Sequence, residues 1–216
     1  MDNQSCMPKI VGMLNLTAIR DVITADLSAN ALHAARSVSG GGCEKWLAGE
    51  SRIAIMWAPT AVVPDRHWVE LELAITPDQR ADLVVVTHDD AAKNRLYPAI
   101  SEFKAIENQG NGYVDDILAS LLTQLQGHRQ HHPTAQIFGV VFAVWQSETA
   151  RRTKSVNDAV EAFDEFQHRL GSRIAAAGLK VTTPGFATIF DKQNTGSAPR
   201  SPTNFLRSLA VAIVEL

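Results

Sequence analysis

The sequence predicts an α/β protein: a central mixed β-sheet flanked by helices, with an N-terminal helical segment. Three observations predict it. Apolar residues recur at three- and four-residue steps within the first forty positions, three strand-like segments follow one another between residues 67 and 106, and helix-like and strand-like segments alternate from there on. A chain of 216 residues, 45% hydrophobic and 20% charged, has enough aliphatic content for one sizeable core. It reads as a single domain over 1–216, with a helical extension over 1–39, a core over 40–190 and a tail over 191–216.

Leu16, Ile19, Val22, Ile23, Leu27, Ala31, Leu32, Ala35 and Val38 form a helical face, as one broken helix or two short ones, until Ser39-Gly40-Gly41-Gly42 interrupts it. Cys43 to about Trp57 fits another helix, although Ile53, Ile55 and Trp57 also fit a strand. His67 to Ile75 alternates apolar and charged residues with the period of a half-exposed strand, which makes Glu70 and Glu72 its solvent-facing side. Thr76-Pro77-Asp78-Gln79 supplies a turn. Ala81 to Thr87 is β-branched and nearly all apolar, as a strand covered on both faces is, and Asp89, Asp90 and Lys93 form a polar hairpin tip before a third strand at Ala99–Ile106, with Asp89 or Asp90 replacing Asp82 as the acidic candidate if the strand register differs.

Asp115 to Gln126 carries Ile117, Leu118, Leu121, Leu122 and Leu125 on one stripe, with Asp115 and Asp116 at the end where the helix dipole favours negative charge. Ala135–Trp145 reads as a buried fourth strand. Val156, Val160, Phe163, Phe166, Leu170 and Ile174 mark a further amphipathic helix closing near Gly178, with a strand at Phe186–Phe190. Glycines and prolines from Pro184 to Pro202 indicate loop, and Phe205–Val214 is expected to be a final helix that docks or dimerises.

The net charge of −3 offers no overall basic footprint for nucleic acid, so any such surface must be local. Arg151, Arg152 and Lys154 form the densest basic run. No apolar run approaches the roughly 18–20 residues that cross a bilayer and the N-terminus lacks a leader pattern, so a cytoplasmic protein without a membrane partner is expected, with Cys6 and Cys43 reduced. A Walker phosphate loop and a Gly-x-Ser-x-Gly elbow are both missing from the sequence, which removes support for nucleotide-driven motors and serine hydrolases. His128, His131 and His132 fall near a helix C-terminus, where a partly protonated imidazole suits the dipole; their spacing to other ligand types does not make a metal site.

Glu102 and Lys104 stand two apart on a strand, so their side chains leave one face while Phe103 points to the other. If Asp82 begins the preceding strand of a meander, its carboxylate comes beside Glu102, giving two hard oxygen ligands and one ammonium at one edge of a sheet. Phosphodiester hydrolysis needs neutralised charge, an oriented water and help for the departing oxyanion, which carboxylate-held Mg²⁺ supplies together.

Asp82 on one strand and Glu102-Phe103-Lys104 on the next resemble the PD-(D/E)XK, or restriction-endonuclease-like, nuclease superfamily over roughly Gly40 to Trp145. The resemblance implies Asp82, Glu102, Lys104 and Glu44 as catalytic positions, with Glu50 the rival of Glu44, and Asp82, Glu102 and Phe103 as the positions that hold Mg²⁺, for which Mn²⁺ substitutes. Ala81 stands where the family's usual proline does; one branch has Gln-x-x-x-Tyr on the following helix, for which this chain offers only Gln124 with His128, or Gln109 with Tyr113 across two glycines, so it is not assigned to that branch. The implied activity is a metal-dependent endodeoxyribonuclease of restriction or phage-defence type, homodimeric so as to cut both strands, with Arg151, Arg152 and Lys154 as DNA phosphate contacts. The alternatives are a junction, repair or RNA nuclease, and a non-catalytic binding or assembly subunit that keeps the fold.

Overall fold

Among the described residues three helices precede the first strand, and each turns its apolar side to the same face of one sheet. A computed structural model of the chain describes residues 13–38, 43–58, 67–77, 79–89, 94–108, 111–148, 156–197 and 204–216. The helical period over the first forty positions resolves into α1 (Leu16–Ala29) and α2 (Ala31–Ser37), and the ambiguous segment after the glycines is a helix, α3 (Cys43–Met56). Asn15 begins α1 as its cap, its side-chain oxygen accepting from the Ala18 N–H at 3.1 Å.

The strands are β1 (His67–Thr76), β2 (Gln79–Asp89), β3 (Asn94–Glu107), β4 (Gln136–Glu148), β5 (Lys180–Val181), β6 (Ala187–Ser197) and β7 (Asn204–Glu215); α4 (Asn111–His131) joins β3 to β4, and α5 (Val156–Ala176) follows β4. The sheet runs β1-β2-β3-β4-β7-β5, with β6 also pairing β7. Every pair is antiparallel except β3–β4, whose parallel register (Phe103 opposite Val140) requires the crossover that α4 provides. This is a mixed sheet flanked by helices, as the sequence predicts.

Side chains alternate between two cores. Phe103, Phe138, Val140, Phe142 and Ile213 face α1, α2 and α3, whereas Ile100, Ile137, Val141, Ala210 and Val214 face α4 and α5. Gly139 on β4 marks the closest approach on the second face: a Cβ there would stand 2.8 Å from Val214 Cγ2 and 3.2 Å from Leu121 Cδ1.

Two expectations need correction. Phe205–Val214 is not a helix; it lies in β7, between β4 on one side and β5 and β6 on the other. Leu209 through Val214 are wholly buried, because the strand is covered on both faces as well as both edges. The boundary drawn at 191 between core and tail therefore falls inside β6, and residues 204–215 belong to the middle of the sheet. Cys43 is a buried free thiol, whereas Cys6, Asp90, Lys93, Gln109, Arg151, Arg152 and Lys154 lie outside the described residues. Among the described residues no helix is long and apolar enough to cross a membrane.

Candidate functional site

The β1–β2 hairpin leaves the sheet before β3 ends. β2 pairs with β3 down to Leu83 opposite Ser101, and continuing that register would set Asp82 opposite Glu102 and Ala81 opposite Phe103. Instead β2 continues with β1 alone, to Thr76 opposite Gln79, while β3 runs on along β4 to Glu107. A fork opens between β2 and β3.

A fork in a sheet strands backbone donors, and buried donors need acceptors. Two carboxylates supply them. Asp82 Oδ2 accepts from the Phe103 N–H at 2.8 Å, and Glu44 Oε2, reaching across from the first turn of α3, accepts from the Ala105 N–H at 3.0 Å. Since the N–H and C=O of one strand residue point to the same neighbour, the Phe103 carbonyl opens to the fork beside Asp82. Between the two acid candidates of α3, Glu44 is the one bonded to β3.

Lys104 completes the β3 side, its Nζ standing 3.8 Å from Glu44 Oε1 with the side chain 13% exposed. Glu72 flanks the opening from β1, in ion pair with Lys45 at 3.2 Å. Its φ of 48° lies in the left-handed region that side-chain-bearing residues rarely adopt, which marks distortion of the hairpin next to Asp82. A cavity of about 80 Å³ sits here, lined by Glu44, Ala48, Leu71, Glu72, Asp82 and Phe103.

Glu102 differs from the expectation of an open ligand neighbouring the Lys104 head. It is 1% exposed, and its Oε1 lies 2.5 Å from Nε2 of His128, itself 2% exposed, on α4. Glu102 and Lys104 thus send their heads to different partners, one to α4 and the other to α3. Burial pushes the Glu102 carboxyl above its ordinary range; the hydrogen bond to His128 pulls it down, and the neighbouring charge of Asp82 pushes it up again. The influence of Asp82 on the Glu102 carboxyl makes the two acids neighbours at the root of the fork, one bonded to the Phe103 N–H and the other to His128.

His128 is the participant that a helix-dipole reading overlooks. Leu118, Leu121, Leu125 and His128 succeed one another at steps of three, four and three, and the first three are fully or almost fully buried. Extending the apolar stripe by one turn identifies the histidine as inward-facing. Glu70 fits its solvent-facing reading less fully than Glu72 does, since it is half-buried and accepts from Trp68 Nε1 at 2.7 Å.

At the far end of the fork, the Cys43 thiol and the Tyr113 hydroxyl are both pushed up, first by burial and then by the negative charges of Glu107 and Glu44. The fork is therefore acidic along its length, relieved by Lys104. Among the described residues no group of three or more His, Cys, Asp or Glu side chains is arranged to hold a metal ion. A cation at the root would have two carboxylates, Asp82 and Glu102, and the Phe103 carbonyl. That set suits Mg²⁺, which binds through one or two carboxylates and keeps several waters, better than it suits Zn²⁺.

No protein-family model matches the chain, and no curated protein or solved structure matches it either.

Proposed function

We propose that the chain is a Mg²⁺-dependent endodeoxyribonuclease with a restriction-endonuclease-like core. The observation that supports this reading is the fork, where Asp82, Glu44 and Lys104 meet β3 beside the Phe103 backbone, with Glu102 enclosed next to them under α4. The element order α3-β1-β2-β3-α4-β4, with its antiparallel meander and parallel crossover, supports the same core.

In this reading Asp82, Glu102 and the Phe103 carbonyl hold the cation, which when bound polarises the phosphate and lowers the pKa of a water. Lys104 donates to that water and orients it. Glu44 keeps the Lys104 ammonium at the fork. Glu72 and Lys45 border the entrance, and Arg151, Arg152 and Lys154 are the leading candidates for duplex phosphate contacts. A homodimer would bring two such sites to the two strands of a duplex.

A non-catalytic binding subunit is favoured by one specific observation: Glu102 is almost completely enclosed and already bonded to His128. Incubating the pure chain with plasmid and oligonucleotide substrates separates the two readings. Cleavage is expected with Mg²⁺ or Mn²⁺, and Lys104→Ala or Glu102→Ala is expected to lower it by about 10²–10⁴-fold or more. Cleavage that survives excess chelator, or full activity in both variants, refutes the nuclease assignment; no cleavage of any substrate under any metal supports the binding subunit.

A further inference from the structure

α4 turns a polar stripe inward where its earlier turns are apolar. Gln124, His128 and His132 are spaced four apart, so they lie one above another on the helix. Gln124 Oε1, His128 Nδ1 and His132 Nε2 are all buried atoms without a hydrogen-bond partner among the described residues. Gln79, at the start of β2, adds a fourth such atom, and its amide nitrogen lies 2.7 Å from where a Cβ on Gly127 would stand. A helix serving only to cover β3 and β4 would continue with leucines, as it does at Leu118, Leu121 and Leu125. Buried ionisable pairs add little net stability over apolar packing, so the Glu102–His128 contact calls for a role beyond holding the helix down.

We infer that His128 is a positioning residue for Glu102. It holds Oε1 from the α4 side, which restricts the rotation of the carboxylate and leaves Oε2 for a cation at the root of the fork. Outer partners of this kind orient the carboxylates that hold metal ions, and removing one typically weakens metal affinity by 10–100-fold. This inference rests on the metal-site reading of the fork. It goes beyond that reading by assigning a role on α4, on the opposite face of the sheet from Glu44.

The experiment is calorimetric titration of Mn²⁺ into the full chain without nucleic acid, for the wild type and for His128→Ala, His128→Asn and His128→Gln. A glutamine amide can reach the place of Nε2 and donate to Glu102, whereas an asparagine amide is too short. Affinity is expected to fall by about 10–100-fold in the Ala and Asn variants and to return to within about threefold of wild type in the Gln variant. Leu118→Ala serves as the comparison on the same helix face: it lowers the melting temperature and leaves Mn²⁺ affinity unchanged. Wild-type affinity in His128→Asn overturns the positioning role alone, as does equal weakening in the Asn and Gln variants. If His128→Ala fails to fold, the Asn and Gln pair decides. Absence of Mn²⁺ binding by the wild type overturns the metal-site reading, and the role of His128 with it.

Discussion

Replacing Glu102 by glutamine should stabilise the protein while removing its proposed activity. The residue is 1% exposed, feels the neighbouring negative charge of Asp82 and touches His128 at 2.5 Å. Burying a carboxylate costs several kcal/mol even after relaxation, and a charge-assisted hydrogen bond of about 1.5–3 kcal/mol offsets only part of that. A glutamine keeps an oxygen for the imidazole N–H and can donate its amide to Asp82, so the contacts persist while the charge and the repulsion go. The expected gain is about 1–2 kcal/mol, or roughly 2–8 °C in melting temperature for a chain of this size. The pH dependence follows from the raised carboxyl: the native state holds its proton in a window, above the ordinary glutamate value of 4.5, in which the unfolded state has released it. Wild-type stability therefore falls, relative to the variant, as pH rises through that window, and the two converge below the unfolded value. Thermal melts of both proteins between pH 4 and 8, in chelator, provide the assay. A variant that melts at or below the wild type at pH 8, or a difference that does not shrink toward pH 4, would refute the reasoning.

Gly139→Ala should lower stability by about 1–3 kcal/mol, because the new methyl meets Val214 and Leu121 on a strand with neighbours on both edges; a denaturation midpoint within error of wild type would show that the neighbours can give way. Glu44→Ala removes the acceptor of the Ala105 N–H and the partner of Lys104, at an expected cost of about 1–2 kcal/mol, and Glu44→Gln, which keeps an oxygen, should recover most of it. Hydrogen exchange at the Ala105 amide reads the same bond directly and should accelerate in the alanine variant only.

What the sequence makes legible here is local. The alternation in His67–Ile75, the apolar run at Ala81–Thr87 and the leucine stripe after Asp115 each repeat within a few residues, and they become β1, β2 and α4. The strands run longer than expected, since β3 begins at Asn94 and β6 extends to Ser197, where pairing partners extend elements that the residues alone do not mark. Phe205–Val214 shows the opposite failure. A strand enclosed on both faces loses its two-residue period, and FLRSLAVAIV then carries no pattern that separates it from a buried helix. The site divides in the same way. Spacing alone puts Glu102 and Lys104 on one strand, but the partners that define them come from elsewhere: His128 lies 26 residues on, and Glu44 reaches a backbone N–H 61 residues away. Such meetings depend on how helices dock, which composition and period do not encode. Of these partners, only His128 carries a sequence signal, as the next step of the α4 stripe.

β7 has a consequence for the order of events during synthesis. Among the described strands it is the last to leave the ribosome, yet it occupies the place between β4 and the pair β5 and β6. Until it arrives, β4 presents an open apolar edge, and α1 and α2 lack part of the surface on which they rest. Without β7, β5 and β6 have no strand pairing to the β1–β4 part of the sheet among the described residues. An unpaired edge of that kind invites strand addition from other molecules. A chain stalled or clipped before residue 204 would be a seed for aggregation rather than a shorter working protein.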